Sequence, residues 1–444
     1  MTRVAVVGAG YAGLAAAVTL ADAGVDVVVY EARDRVGGRV WSQPLDGPGG
    51  DGPIIERGAE FVLAGYDEMR TWLDRVGLSL VDTGMSYYVR EPRWAHSTAV
   101  DASAAGGRST TVGIAEPADT VPTTGAPTAD APTEAVTVED MRLTAAALAR
   151  MEHEPGVSVA DLLDRLDVRP EVAEAVRARI EVSCAWNAAD LAASVVDHVA
   201  SFESAPSHRV DGGNQGLALS LAAVLGDRVR TGVPVTKVEH SPGGALVTST
   251  SGLELYDAVV ITVPLPLLRD LEIVPPLPLD RRDALERMTI GHAAKAHVGV
   301  RGAITTSAVL SVPDRFWCWT ATGADGAVLP VLNAFAGSPA AVAALRTDEG
   351  TAPWVSRLVD IRDDLDLDET TAIVTTWHDD PWARGAYSAE GLSARPGDGE
   401  VLAQPLGRVF VAGEHTAGEW SGLMEGALRS GSRAARQVLD LVGS

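Results

Sequence analysis

The hydrophobic positions of this chain change period several times, and each change predicts an element. Residues 3–31 read RVAVVGAGYAGLAAAVTLADAGVDVVVYE. The apolar run 4–7 predicts a buried strand, the Ala/Leu-rich stretch up to Gly24 a helix, and the run 25–30 a second strand. YDAVVITVPLPLL (256–268) predicts another buried strand, followed by Pro264 and Pro266. In GHAAKAHVGV (291–300), Ala294, Ala296, Val298 and Val300 fall on one face and Lys295, His297 and Gly299 on the other, the two-residue period of a strand. A strand over 408–412 precedes a last helix. Three helices are expected between these regions. TVEDMRLTAAALARM starts behind a cap-like Thr137, SVADLLDRL behind Ser158, and RPEVAEAVRARIEVSCAW has Pro170 just inside its start. Together they predict a helical lobe over 138–204. Residues 97–137 hold mostly Ala, Thr, Pro, Gly and Asp, too little apolar bulk for a packed core, and read as a flexible insertion.

Composition narrows the class. A chain of 444 residues has room for two or three domains. A formal charge of −24 disfavours nucleic acid and anionic membrane as partners and weakly attracts a cationic small molecule. Cys184 and Cys318 are too few for a disulfide framework or a metal cluster, so no metal is expected and a reducing compartment is. The first residues form a strand rather than a leader, and no run of about 18 apolar residues occurs, so a cytoplasmic enzyme is the expectation. Of 36 basic residues 34 are arginine; the two lysines are Lys237 and Lys295. A lysine kept in such a sequence points to a site that needs a compact ammonium on a thin stem.

The chemistry begins at Gly8, Gly10 and Gly13, in the G-x-G-x-x-G spacing between strand and helix. Gly8 allows the turn, Gly10 the approach of a pyrophosphate, and Gly13 close packing of helix on strand. Glu31 follows Gly13 by 18 residues at the end of the second strand, placed for a ribose diol. Its acidity argues against a 2′-phosphate.

The next segment, EARDRVGGRVW (31–41), resembles the flavin amine oxidase family: monoamine oxidases, polyamine oxidases, L-amino acid oxidases and related flavoenzymes. The resemblance implies FAD, contacted by Ala12, Ala32, Arg33, Gly38 and Arg39. It also implies flavin contacts at Gly58, Ala59, Glu60 and Phe61 in IERGAEFV (55–62), and an adenine contact from the Val235 backbone. An acid such as Glu60 beside the ring also suits a substrate cation. Lys295 matches the family lysine that holds a water against the flavin N5. In TTWHDDPWARGAYS (375–388), Tyr387 matches one wall of the aromatic cage, and Ala386 stands where covalently flavinylated members carry cysteine, which implies noncovalent FAD. In the 408–439 segment Gly413 and Glu414 match the ribityl-binding pair, and Leu423 and Met424 lie where the last helix points its N-terminus at the flavin; Gly422, Glu425 and Gly426 also match. Leu423 departs from the second cage aromatic, and Trp382 or Trp420 would supply the missing surface.

The expectation is therefore an α/β protein with a Rossmann-type FAD-binding domain (1–66, 205–290 and 395–444). A substrate domain with a mixed β-sheet and helical lobe (67–204 and 291–394) completes it. The expected activity is oxidation of an amine C–N bond, with hydride passing to flavin N5, imine and hydrogen peroxide as products, and molecular oxygen as co-substrate. Lys295 and Tyr387 are the catalytic candidates. Alternatives are an L-amino acid oxidase, with Arg57 or Arg384 for the carboxylate, a flavin desaturase or dehydrogenase of C–C bonds, and a non-catalytic flavin-binding protein. A homodimer is left open.

Overall fold

The computed structural model describes residues 2–94, 134–199 and 201–443. The insertion expected over 97–137 falls outside them up to residue 133. A five-stranded parallel sheet runs in the order Val409–Val411, Ala258–Ile261, Arg3–Val7, Asp26–Tyr30 and Val229–Arg230, with Val4 opposite both Ala258 and Val27. Its strands read as apolar runs because both faces are covered. Val4, Val6, Val27, Val29 and Val260 pack beneath the helices Tyr11–Asp22 and Met424–Gly443. Ala5, Val7, Val28, Val259 and Ile261 pack against a four-stranded sheet that contains Val235–Ser241. Gly431 lets the two helices touch: a Cβ there would lie 2.1 Å from the Ala12 carbonyl oxygen.

Helix Asp67–Val76 joins this cluster through Met69, Trp72 and Leu73. Its N-terminal N–H groups at Glu68 and Met69 donate to the buried Glu425 carboxylate at 2.9 and 2.8 Å. Glu425 thus caps one helix from the first turn of another.

The second layer is a six-stranded mixed sheet in the order Asp366–Thr376, Ala293–Arg301, Val331–Gly337, Phe316–Thr320, Ser307–Ser311 and Glu91–Arg93. All its pairings are antiparallel except the last. The helical lobe forms where the sequence places it, as Val138–Leu148, Val159–Asp164 and Pro170–Cys184. The first two carry complete capping boxes, Thr137 with Asp140 and Ser158 with Asp161. Ala293–Arg301 is the strand that its alternation predicts, and residues 293–300 are buried on both faces. Ala294, Ala296, Val298 and Val300 pack against helix Ala352–Ile361. On the other face Lys295 lies opposite Thr375 and Phe335, and Phe335 opposite Trp317, a row across four strands. Among the described residues no helix is long and apolar enough to cross a membrane, and no cluster of side chains is arranged to hold a metal.

Candidate active site

A cavity of about 1050 Å³ lies between the carboxyl ends of the parallel strands and the polar face of the mixed sheet. That is the upper end of the ~300–1,000 Å³ typical of ligand pockets, and strand ends in an open parallel sheet are where ligands bind.

The glycine-rich turn sits at one wall. Gly8 has φ of +108°, and a Cβ on Gly13 would lie 1.9 Å from the Gly8 carbonyl oxygen, so helix and turn are in contact. A Cβ on Gly10 meets nothing within 4 Å: the chain is open there to an approaching group. Glu31 is buried; its carboxylate accepts from the backbone N–H of Ala9 at 2.8 Å and of Arg33 at 2.9 Å. Ala12, Ala32, Arg33, Gly38 and Val235 lie on the same wall, and the Arg33 guanidinium pairs with Asp380. Gly13 is behind it.

Further along, Arg39 donates to the Ala386 carbonyl at 2.8 Å and to Glu414 at 2.9 Å. The other Glu414 oxygen accepts from the Gly422 N–H at 2.8 Å. Burial alone would push the Glu414 carboxyl up; the Arg39 guanidinium and the Ser388 hydrogen bond outweigh it and hold it below the usual range. Ser388 lies on this wall beside Glu414, and Leu423 and Met424 present the start of the last helix to the cavity. An open glycine, a ribose-type carboxylate and a helix N-terminus along one wall fit a dinucleotide with a polar ring system.

The opposite end is aromatic. Phe61 packs against Tyr87, Trp317 and Trp319 with centroids 5.3, 5.6 and 5.5 Å apart. Tyr387 lines the same space and donates its hydroxyl to the Ser183 carbonyl at 2.9 Å. Between the two ends Lys295, 3% exposed, reaches from the sheet floor to Glu60, with Nζ to Oε2 at 2.6 Å, and to the Gly58 carbonyl at 3.1 Å. Gly58 and Ala59 also border the cavity, though the small size of Gly58 serves its contact with the Arg39 carbonyl, 1.9 Å from a Cβ.

The two expected aromatics part ways. Trp420 is off the cavity wall; it packs edge-on against Tyr66 and beneath the Arg429 guanidinium. Trp382 touches the cavity but also walls a separate cleft beside Ala32, Arg33 and Arg35. Tyr87, Tyr88, Trp317, Trp319 and Phe335 add aromatic surface to that of Trp382. The signal was present in RFWCWT (315–320), where a two-residue period sets Trp317 and Trp319 on one face. Arg57 also lies off the wall, stacked on Trp41 and bonded to Thr375, and Arg384 pairs with Asp270.

Behind Gly58 the buried Glu56 accepts from Ser42 Oγ at 2.6 Å and from the Asn214 N–H at 2.7 Å. Burial pushes its carboxyl up to about 7 against those hydrogen bonds. Because the folded value lies above the unfolded one of 4.5, the native chain binds the extra proton. The associated stability is complete below the unfolded value and is lost as pH rises through about 7, on the order of 3 kcal/mol in all. Glu56→Gln is therefore expected to gain thermal stability relative to wild type between pH 5 and 8, roughly the window set by that shift. Parallel melting curves across that range would refute the assignment.

Comparison with known proteins agrees with this architecture. The family model described as flavin containing amine oxidoreductase matches residues 11–439. The flavin-containing amine oxidase B of Rattus norvegicus is 25% identical over 480 residues, spanning 99% of this chain and 86% of its own. Among solved structures, cyclohexylamine oxidase from Brevibacterium oxydans IH-35A superposes with a TM-score of 0.78 at 21% identity, covering 100% of each chain. Wild-type putrescine oxidase bound to putrescine does so with 0.75 at 23%, covering 100% of this chain and 99% of its own. The glycine turn, the carboxylate at its second strand and the lysine facing an aromatic chamber thus meet in one chain, which belongs to the flavin-containing amine oxidoreductase family and takes FAD as its cofactor.

Proposed function

We propose that the protein is an FAD-dependent oxidase of amine C–N bonds that releases an imine and passes electrons on to oxygen as hydrogen peroxide. The bound FAD supplies the two-electron acceptor for the hydride from the α-carbon. The rest falls to the chain. Glu31 would accept from the ribose, the Gly8–Gly13 turn and the following helix would face the pyrophosphate, and Glu414, fixed by Arg39, would meet the ribityl hydroxyls. The N-terminus of Met424–Gly443 would favour negative charge on the ring. Ala386 offers no sulfur for a thioether, so the cofactor is held noncovalently.

The amine enters a chamber walled by Phe61, Tyr87, Trp317, Trp319 and Tyr387. Burial there disfavours its ammonium form, so the neutral amine with its lone pair is the species presented and no side chain is needed as a general base. Lys295 orients water with the N–H that its protein partners leave free. The single observation that carries this reading is a buried lysine on the same cavity wall as Tyr387 and the aromatic cluster. A second reading, oxidation of an α-amino acid, draws on Arg179, a buried guanidinium also on that wall. Anaerobic mixing of the yellow protein with amines and amino acids separates the two. Bleaching by neutral-tailed amines, with peroxide on readmitting air, is expected; bleaching by amino acids alone selects the second reading, and bleaching by neither overturns both.

A further inference from the structure

A buried ion pair on the cavity wall joins two residues 235 positions apart, Lys295 Nζ and Glu60 Oε2 at 2.6 Å. Both are buried, with side chains 4% and 3% exposed. The second carboxylate oxygen, Oε1, accepts from the Trp319 indole N–H at 3.3 Å. The Glu60 backbone is itself pinned, its carbonyl accepting from Asn214 Nδ2 at 2.6 Å. Glu60 is thus held from below by Asn214 and from above by Trp319 and Lys295, with both oxygens engaged.

We propose that Glu60 is the positioning residue of Lys295: it fixes the ammonium on the cavity wall, balances its charge there, and for that reason does not serve a substrate cation. An ammonium has three N–H donors. One goes to Glu60 and one to the Gly58 carbonyl, which aims the third into the cavity. Without the carboxylate, a lysine charge buried in the sheet floor loses its ion-pair partner and has every reason to swing toward the solvent-accessible part of the cavity. The arrangement also accounts for lysine in an arginine-rich chain. A guanidinium opposite Glu60 would take both carboxylate oxygens in a fork and displace the Trp319 contact, leaving no single compact donor directed inward. A further consequence concerns substrates: a diamine finds no free carboxylate beside Lys295 for its distal ammonium.

The inference rests on the proposal that Lys295 faces the flavin, and the test separates the two. The FAD midpoint potential, kcat and KM are measured for Glu60→Gln, Lys295→Met and the double variant. Glu60→Gln leaves an unbalanced positive charge in the cavity. The reduced, negatively charged flavin is then favoured by about tenfold, a rise near 30 mV for a two-electron couple. Lys295→Met moves the potential the opposite way. Glu60→Gln lowers kcat by about tenfold, the worth of one charge-assisted hydrogen bond, with KM nearly constant. In the Lys295→Met background the same change lowers kcat no further, because Glu60 acts through the lysine.

If Lys295→Met shifts the potential and Glu60→Gln does not, or if Glu60→Gln costs the same in both backgrounds, the inference falls and the proposed function stands. A raised KM for amines at constant kcat would instead assign Glu60 to the substrate cation. An unmoved potential in Lys295→Met sinks both. Should Glu60→Gln purify without FAD, Glu60→Asp takes its place. The shortened carboxylate keeps the charge but loses its reach to Nζ, so it is expected to lower kcat with little change in potential; unchanged kcat would overturn the inference.

Discussion

Lys295→Met is expected to retain FAD and to turn over on the order of 100-fold more slowly than wild type, the effect of removing one preorganised donor from an enclosed site. Methionine follows the lysine stem closely in length, so the strand pairings of residue 295 with Phe335 and Thr375 need not change. The lost group is the ammonium alone. Its removal leaves the buried Glu60 carboxylate with the Trp319 N–H but without its counter-ion, which costs stability by about 3–5 kcal/mol. Cofactor content and melting temperature are therefore read alongside the rate. A variant that binds FAD fully and oxidises amines at the wild-type rate would remove Lys295 from the chemistry.

Gly13→Ala is the second large effect expected, and it acts on the cofactor rather than on turnover. The added methyl would lie 1.9 Å from the Gly8 carbonyl oxygen and 2.9 Å from Thr262 Oγ1. Neither neighbour is a flexible chain end free to yield, since Gly8 N–H is bonded to the Tyr30 carbonyl at 2.7 Å and Thr262 Oγ1 to the Val7 carbonyl at 2.9 Å. The helix must move off the turn, at a cost of about 3 kcal/mol and with loss of the pyrophosphate site. The expected product is colourless apoprotein with a lowered melting temperature. Gly10→Ala is the contrasting control. Its methyl meets no protein atom within 4 Å, so the chain should fold normally and lose FAD affinity alone. Equal destabilisation by the two substitutions would refute this division of labour.

The parts of the site that were legible in the sequence are those set by short-range rules. Short apolar runs specified four of the five parallel strands, all but Val229–Arg230, and the glycine spacing specified a turn that only small residues can make. The capping boxes at Thr137 and Ser158 marked helix starts because both partners lie within one turn. Resemblance to the family added Lys295, Tyr387, Glu414 and Arg39, and all four line one cavity.

Period alone assigned Lys295 and His297 to a polar face. Whether that face met solvent or a cavity floor depended on the strands and helices laid across it. His297 ended fully buried against Asn333, its imidazole pushed down to about 3 by burial and by the nearby lysine charge. Trp420, close in sequence to Leu423, turned to Tyr66 instead of the chamber.

By itself, then, the sequence determined the dinucleotide turn, the parallel strands, the helical lobe and the family's motif residues, since each is encoded by spacing within about twenty positions. The tertiary structure alone decided that Glu60 belongs to Lys295, that Trp317 and Trp319 build the chamber, and that Trp420 does not. Those outcomes turn on pairs that are distant along the chain and on which side chains reach a buried charge first. Neither leaves a period in the sequence, because the cost of an unpaired charge is incurred only once the surrounding layers have closed over it.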